Sequence, residues 1–303
     1  MRKKKESKTM SKAAVKEKKR WSKKKKAAVI ILSVLCALIV LTVAAGVIAL
    51  NWYCRVPEYN VVQTNQHVSL IAHRGMSSMA PENTTASFEQ AGKHYYWGAE
   101  CDVYRTADGV WIVSHDTNTY RMMDKTANIE KKSYAELMEM NVDNGANIDE
   151  YPDLKMCSLE DYLKICKQYN MVPIIELKGK NNTEHYDEIT ALVSKYELEA
   201  QYISFHFENL QKIRELTDAP VFYLVQKIEQ EDIDLALTLK DCGISFNGNK
   251  EENYEVDESG ANMIGKCAAA ELPLASWTID DPDVLARLVE NGVTTITTNA
   301  IKY

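Results

Sequence analysis

The chain has 303 residues and a formal net charge of −7. It is therefore longer than one typical domain of ~100–200 residues, and its length fits an α/β barrel of ~200–250 residues with an added segment. Its seven cysteines include no CxxC pair, which argues against a zinc ribbon or a redox dithiol and leaves disulfides and scattered buried thiols both open. The charge is uneven, because residues 1–26 contain 14 Lys or Arg and two Glu and are therefore near +12.

The basic segment 1–26 does not indicate a nucleic-acid partner, since its one aromatic residue is Trp21 and no basic folded face accompanies it. We expect this segment to stay in the cytoplasm, where it orients the apolar stretch that follows and contacts anionic lipid.

Residues 27–50 contain no charged residue, no proline and one glycine. As a helix with 1.5 Å rise per residue they extend ~36 Å, enough to cross a hydrocarbon core of ~30 Å. Trp52 and Tyr53 follow at the expected membrane interface. The pattern predicts a single transmembrane helix with a cytoplasmic N-terminus, and residues 55–303 outside the membrane.

A cleaved signal peptide is the alternative for this segment. Signal peptides have apolar stretches of only ~7–15 residues, which favours a retained anchor, although small residues near Ala45 and Ala49 would permit cleavage. We expect residues 51–67 to form a linker and residues 68–303 to form the folded domain.

From residue 68 onward, short apolar or β-branched runs alternate with amphipathic stretches of helical length. The strand candidates are residues 68–72, 98–104, 171–177, 202–205, 221–226, 243–246, 273–279 and 293–299. The helix candidates are residues 84–94 with Asn83 as N-cap, 158–169 with Ser158 as N-cap, 183–196, 208–217, 230–242, 259–271 and 281–292. Eight repeats favour a closed parallel (β/α)₈ TIM barrel over an open doubly wound sheet.

Two irregularities interrupt this repeat. Residues 105–157 are too long for a βα loop, and we expect a hairpin at Asp108-Gly109 followed by polar, mostly aperiodic chain. The sequence also ends at Tyr303, directly after the last strand candidate. The eighth helix is therefore expected to be missing or replaced, with residues 51–67 as a candidate to cover the gap.

Reactive side chains lie at the predicted carboxyl ends of strands, where the active sites of such barrels form. They are His73, Arg74, Glu100, Asp102, Glu176, Lys178 and Trp277. Glu100 and Asp102 are two positions apart on a strand and therefore point to the same side. Together with Glu176 they form an all-oxygen ligand set suited to one divalent cation, Ca²⁺ or Mg²⁺. The alternative is that they form salt bridges with Arg74, Arg105 or Lys178.

Two histidines differ in context from three others. His73 and His115 each end an apolar run and precede a charged residue, whereas His67, His94 and His185 have no such setting and are expected to be structural. Two imidazoles beside a cation are suited to act as base and acid in one reaction. The planar guanidinium of Arg74 is suited to bind a phosphate.

The ordered motifs resemble those of the glycerophosphodiester phosphodiesterase family. They are "HRG" (73–75), "PENT" (81–84) followed by Phe88, "GAECDVYRTADG" (98–109), "VSHD" (113–116), "ELKG" (176–179) and "SWT" (276–278). The likeness covers residues 68–299. It departs from the family at Asp280, where an asparagine is frequent, and at Asn299, where an aspartate is common.

The resemblance implies a barrel enzyme that hydrolyses glycerophosphodiesters to glycerol phosphate and an alcohol with one divalent cation. By position, the resemblance assigns three sets of residues: Glu100, Asp102 and Glu176 as metal ligands, His73 as base and His115 as acid, and Arg74, Lys178 and Trp277 as substrate-binding residues. The insertion 105–157 resembles the family's small cap over the barrel mouth.

Two other functions stay open at this stage. One is phospholipase-like cleavage of intact lipid or of a surface glycerophosphate polymer, for which the predicted anchor gives proximity. The other is a catalytically silent binding ectodomain. Protein partners are not indicated by the sequence.

Overall fold

The computed structural model describes residues 23–53, 60–61 and 67–302. Residues 1–22, which make up most of the predicted basic tail, and most of the predicted linker 51–67 lie outside the described residues. By its internal contacts the chain divides into two compact units, Met1–Arg55 and Val56–Tyr303.

The first unit contains one long helix, α1 (Lys23–Tyr53). Its stretch Val29–Gly46 has a mean hydropathy of 2.9, and none of that stretch is buried. An exposed apolar helix of this length fits a membrane span by length and composition, and a signal sequence near an N-terminus fits the same description.

The second unit is built on a closed barrel of eight parallel strands, as predicted. The strands of the described chain are β1 (Asn60–Val61), β2 (Ser69–Ala72), β3 (Gly98–Arg105), β4 (Trp111–Val113), β5 (Cys157–Ser158), β6 (Val172–Leu177), β7 (Gln201–Ser204), β8 (Val221–Val225), β9 (Cys242–Asn247), β10 (Leu274–Trp277), β11 (Thr295–Thr298) and β12 (Ile301–Lys302). The barrel order is β2-β3-β6-β7-β8-β9-β10-β11, and pairing of β11 with β2 closes it.

Helices follow the barrel strands and cover the outside of the barrel. They are α2 (Thr85–Lys93), α3 (Tyr134–Met138), α4 (Leu159–Tyr169), α5 (Tyr186–Lys195), α6 (Phe207–Arg214), α7 (Gln230–Ala236), α8 (Met263–Ala269) and α9 (Pro282–Glu290), with α3 in the insertion. Ser158 caps α4 as predicted, since its side chain accepts a hydrogen bond from Asp161 N. The helix predicted from residue 259 begins only at Met263, because Asn262 caps it by accepting a hydrogen bond from Gly265 N.

Side-chain alternation divides the barrel core into two layers. Ile71, Ile174 and Ile203 belong to a cluster that fills the barrel interior. Cys101 and Ile175 belong to the larger cluster between strands and helices. Because neighbouring residues on a strand face opposite sides, the flanking polar residues of β3 and β6 point inward, towards the barrel axis.

The insertion 105–157 begins with the predicted hairpin, in which β4 pairs antiparallel with β3 and then with β5. The chain after it is mostly aperiodic, as expected, but it is less polar than expected because part of it is buried. Eight side chains from the hairpin and the insertion form a separate hydrophobic cluster: Tyr104, Ile112, Met123, Ile129, Leu137, Met140, Val142 and Met156. These residues are irregularly spaced in sequence and meet because the chain folds back on itself, with a bridge between Met123 and Val142.

Part of the predicted linker lies beside the end of the chain. Asn60–Val61 pairs in parallel with Ile301–Lys302, directly after the last barrel strand. The described cysteines of the second unit, Cys101, Cys157, Cys166, Cys242 and Cys267, are buried free thiols, so among the described residues the thiol interpretation holds over the disulfide one.

Candidate active site

Three carboxylates carried by β3 and β6 lie close together. Asp102 is paired in register with Glu176 on the neighbouring strand, and Glu100 lies two residues before Asp102 on the same side of β3. One oxygen from each of the three lies within 4.8 Å of the others, and all three residues are buried. The spacing expected from strand pleating is therefore confirmed.

Two cationic side chains partly compensate this negative charge, so the alternative prediction of salt bridges is partly correct. Lys178 Nζ lies 2.9 Å from Glu176 Oε1 and 3.2 Å from Asp102 Oδ1, and Arg74 Nε lies 3.5 Å from Asp102 Oδ2. Arg105 instead pairs with Glu188, away from the cluster. Three carboxylates facing two cations leave a deficit of positive charge.

The pKa values reflect this imbalance. Burial would raise the pKa of Asp102, but Lys178 and Arg74 outweigh burial and hold that pKa below its ordinary value. Burial and the neighbouring Asp102 raise the pKa of Glu176 to about 7. Burial, with Asp102 and Glu176 nearby, raises the pKa of Glu100 well above its ordinary value. One more positive charge is needed for all three groups to ionise together.

The cluster fits a hard divalent cation. Glu100 Oε1 is buried and has no hydrogen-bond partner among the residues that the structure describes. An unsatisfied buried carboxylate oxygen is costly unless a cation binds it. Carboxylate oxygens are the preferred ligands of Ca²⁺ and Mg²⁺, and the set contains neither thiolate nor imidazole.

His73 follows β2 and is held by the end of the chain. Its Nδ1 lies 2.7 Å from Asn299 Oδ1, an acceptor, so Nδ1 carries the proton. Burial, reinforced by Arg74, lowers the pKa of His73 to about 4. The ring is therefore a neutral imidazole near pH 7, and its unprotonated nitrogen is Nε2.

His115 follows β4 and is held by a carboxylate instead of an amide. Its Nδ1 lies 3.0 Å from Asp116 Oδ1, and Arg121 Nε donates to Asp116 Oδ2 at 2.8 Å. Arg121 Nη2 also donates to Glu82 Oε1 at 2.6 Å, and Arg74 Nη1 donates to the same oxygen at 3.0 Å. Arg121 thus connects the partner of His115 with the partner of Arg74.

The loop after β2 has an unusual backbone that places these groups. Arg74 has φ 57 and Gly75 has φ 76, both in the left-handed region. A Cβ on Gly75 would come within 2.4 Å of Ser87 Oγ on α2, so only glycine allows the loop to approach this helix. The turn directs Arg74 N towards Glu100 Oε2, to which it donates at 2.8 Å.

The prediction that Asn83 caps α2 was wrong. Thr84 is the N-cap, and its side chain and that of Ser87 form a reciprocal capping box. Asn83 is buried with φ 57, and its Nδ2 donates to Asp102 Oδ2 at 2.8 Å. Its side chain therefore holds a carboxylate of the acidic cluster and is turned away from the helix end.

A cavity of about 280 Å³ opens at the carboxyl ends of the strands. Seven of the predicted site residues line it: His73, Arg74, Glu100, His115, Glu176, Lys178 and Trp277. Asp102, the eighth, lies against Arg74 and Lys178 as described above. Phe205 also lines the cavity. It packs edge to face with Trp277, with ring centroids 5.4 Å apart, and Trp277 Nε1 donates to Ser245 O.

Sequence reasoning missed the groups that hold the histidines and Arg74. Asp116 and Glu82 lie inside the quoted motifs, so their positions were visible but their partners were not. Arg121 lies in the insertion, where no local pattern distinguishes it from other charged residues. Asn299 and Asp280 were noted only as departures, although the two are in contact.

The fold and the site define a class of protein: a parallel (β/α)₈ barrel that carries an acidic cluster, two oriented imidazoles and two cationic side chains at one mouth. The chain belongs to the glycerophosphoryl diester phosphodiesterase family, whose model matches residues 73–303.

Individual relatives agree with this family. Glycerophosphodiester phosphodiesterase 1 of Mus musculus is 28% identical over 197 residues, which is 65% of this chain and 56% of the relative. The chain thus spans little more than half the length of that relative.

Two solved structures resemble the fold. A phosphodiesterase from Oleispira antarctica, in complex with the product sn-glycerol-3-phosphate, matches with a TM-score of 0.65 at 24% identity, over 82% of this chain and 94% of that one. A glycerophosphodiester phosphodiesterase from Parabacteroides distasonis matches with a TM-score of 0.60 at 25% identity, over 80% of this chain and 94% of that one.

Proposed function

We propose that the chain hydrolyses glycerophosphodiesters to glycerol phosphate and an alcohol. The observation that carries this proposal is the convergence of unlike groups on one cavity. Two imidazoles, each with Nδ1 beside an acceptor, line the same cavity as two members of the carboxylate cluster. The negative charge of that cluster is only partly compensated by the cationic side chains beside it. Such a site suits a phosphodiester, whose anionic oxygens need cations and whose esters need proton transfer.

Glu100, Asp102 and Glu176 would hold one divalent cation, Ca²⁺ or Mg²⁺. When bound, the cation neutralises charge on the phosphoryl oxygens as a Lewis acid. Arg74 and Lys178 line the cavity beside this cluster and are suited to bind the phosphate oxygens, Arg74 through its planar fork and Lys178 as a point charge.

The partners of the two histidines support opposite roles for them. His73 has a neutral amide partner and a pKa lowered to about 4, so it is unprotonated and suited to act as a base. Burial also lowers the pKa of His115, but the nearby Asp102 and the hydrogen-bonded carboxylate of Asp116 both oppose that lowering. His115 is therefore the better suited of the two to carry a proton to the leaving group.

In the proposed reaction, His73 Nε2 takes the proton of the substrate's glycerol 2-hydroxyl while that oxygen bonds to phosphorus. The phosphorus–oxygen bond to the alcohol breaks, and His115 donates a proton to the departing oxygen. A cyclic phosphate remains, which water opens with the two histidines in reversed roles. Each histidine returns to its initial protonation state.

The test is an assay of the full-length protein in detergent with glycerophosphocholine and glycerophosphoglycerol. We expect hydrolysis with Ca²⁺ or Mg²⁺, loss of activity with chelator, and loss in His73→Ala and in His115→Ala. His94→Ala is the matched control, because His94 Nδ1 contacts Gln90 O on α2, outside the cavity. Activity that ignores the chelator or survives both active-site substitutions would contradict the proposal.

Apolar side chains at the cavity favour a second candidate, phospholipase-like cleavage of intact lipid, over the other alternative, cleavage of a surface glycerophosphate polymer. Phe205 is 38% exposed at the cavity, beside Trp277, and offers an apolar surface to the alcohol half of a substrate. Lysophospholipid hydrolysis that falls in Phe205→Ala, with glycerophosphocholine hydrolysis unchanged, would favour the lipid. Release of glycerol phosphate from polymer alone would favour the polymer.

We further propose that residues 27–50 form a retained membrane anchor, with residues 1–26 in the cytoplasm and the barrel outside the membrane. The exposed apolar surface of Val29–Gly46 and the basic segment before it support this arrangement. Protease added to intact cells should digest the barrel and leave a short membrane-bound fragment. Protection of the barrel would contradict the topology, and release of a barrel that lacks residues 27–50 would indicate a signal peptide.

A further inference from the structure

Asp280, in the loop after β10, accepts hydrogen bonds from the segment that follows β11. Its Oδ1 receives Asn299 N at 2.7 Å, Ala300 N at 3.2 Å and Thr298 Oγ1 at 2.7 Å. Its Oδ2 receives Asn299 Nδ2 at 2.8 Å. The carboxylate thus fixes both the backbone and the side chain of Asn299.

This arrangement determines which way the Asn299 amide points. A carboxylate only accepts hydrogen bonds, so the NH₂ group of Asn299 must face Asp280 and its oxygen must face the other way. That oxygen lies 2.7 Å from His73 Nδ1 and accepts a further hydrogen bond from Ser77 Oγ at 3.0 Å. The orientation of the amide therefore sets the tautomer of His73.

We propose that Asp280 and Asn299 act together as positioning residues for His73, fixing its ring orientation and keeping its proton on Nδ1. The lone pair of Nε2 is then left for a substrate hydroxyl. The proposal deepens the function proposed above and rests on it, because it assigns Asp280 and Asn299 to the work of the base. Asp280 acts through Asn299 and need not touch the substrate.

The test substitutes Asp280 and Asn299, first singly and then together, in the full-length protein. Asn299→Ala removes the acceptor, and Asp280→Asn lets the neighbouring amide turn its NH₂ group towards His73. Each should lower kcat by about 100-fold with little change in KM. Asp283→Asn is the matched control, since Asp283 is an exposed carboxylate in the first turn of α9.

The double variant Asp280→Asn with Asn299→Asp should recover most of kcat. The amide oxygen introduced at position 280 can accept the backbone N–H groups, while the amide NH₂ group faces the carboxylate introduced at position 299. His73 would then be paired with a carboxylate, so the acidic limb of the kcat/KM profile should move to higher pH. The charged groups that face His73, which are Arg74, Glu82 and Asp102, are unchanged in every variant.

The outcomes distinguish a role in positioning His73 from a role that only stabilises the contact between the loop after β10 and the segment after β11. Recovery of Tm without recovery of kcat in the double variant, or recovery of both without a shift of the acidic limb, would overturn the proposal. Unchanged kcat in Asn299→Ala would also overturn it.

Failure of the proposed function is distinguished by a measurement that needs no activity. If the wild type hydrolyses no glycerophosphodiester, the proposed function fails, and nitrogen-15 NMR of labelled histidine still reports the tautomer of His73. The proton should be on Nδ1 in the wild type, and this preference should be lost in Asn299→Ala. A wild-type His73 protonated on Nε2 would overturn the positioning role.

Discussion

The acidic cluster and the two histidines lie in one cavity, but they are placed by different means. Glu100, Asp102 and Glu176 are carried by barrel strands, and strand pleat and register alone bring them together. His73 and His115 lie at the ends of strands, and each depends on a side chain from another part of the sequence. Asn299 contacts His73 directly, whereas Arg121 of the insertion holds Asp116, the neighbour and partner of His115. The strands thus supply charge at fixed positions, and the loops supply proton transfer at positions that depend on their partners.

The largest expected effect is at the strand-borne cluster. Glu100→Gln removes one carboxylate charge at nearly constant shape, and we expect activity to fall by about 1000-fold or more, because cation catalysis contributes several kcal/mol. The metal-free Tm near pH 7.5 should not fall, since the raised pKa of Glu100 shows that its charge is unfavourable in the folded protein. Kinetics with added cation measure the loss of activity, and thermal denaturation in chelator measures the metal-free Tm. A large loss of Tm would show that the Glu100 carboxylate stabilises the fold instead of supplying charge at the site.

The next effect is at the histidines. His73→Ala and His115→Ala should each lower kcat by about 100- to 1000-fold, the usual contribution of a positioned acid or base. The rise of Tm on adding Ca²⁺ or Mg²⁺ should persist in both variants, because neither belongs to the carboxylate cluster. Loss of that rise would show that the two regions are not independent.

The third effect is the pH dependence of the metal-free fold. Raising the pKa of Glu176 from 4.5 to about 7 means that the folded protein binds this proton more tightly than the unfolded chain does. Stability should therefore be highest below about pH 4.5 as far as this group is concerned, and fall by a few kcal/mol as pH rises through about 7.

Thermal denaturation in chelator between pH 5 and pH 8 measures this fall. Added divalent cation should reverse it at the upper end of the range, because it favours the ionised carboxylates. Glu176→Gln should flatten the profile, and a profile as steep as that of the wild type would contradict the assignment.

The smallest expected effect is at Arg121, the side chain of the insertion that contacts the partners of His115 and Arg74. Arg121→Gln frees Asp116 and Glu82 from one shared cation, and we expect kcat/KM to fall by about 10-fold, as for other supporting groups. Arg287→Gln is the control, because Arg287 pairs with Glu251 away from the cavity. If Arg121→Gln has no more effect than its control, the loop-borne histidine does not depend on this contact.

This difference in placement also explains what the sequence could predict. Residues two positions apart on a strand point to the same side, so the short motif that contains Glu100 and Asp102 was enough to infer that they share a side. The partner of His73 is separated from it by more than 200 residues in sequence, and only closure of the barrel brings β11 beside β2. Asn83 was misassigned as a helix cap because residue type alone does not show which polar group a buried amide will meet.

The buried thiols of the barrel have a consequence for the conditions under which the protein is made and studied. Burial raises the pKa of Cys166 to about 12 and those of Cys242 and Cys267 to about 11, so the reactive thiolate form is scarce near neutral pH. Cys101 and Cys157 shift in the same direction. In the folded barrel these five buried thiols are therefore weak nucleophiles near neutral pH, and we expect them to react slowly with thiol reagents and oxidants.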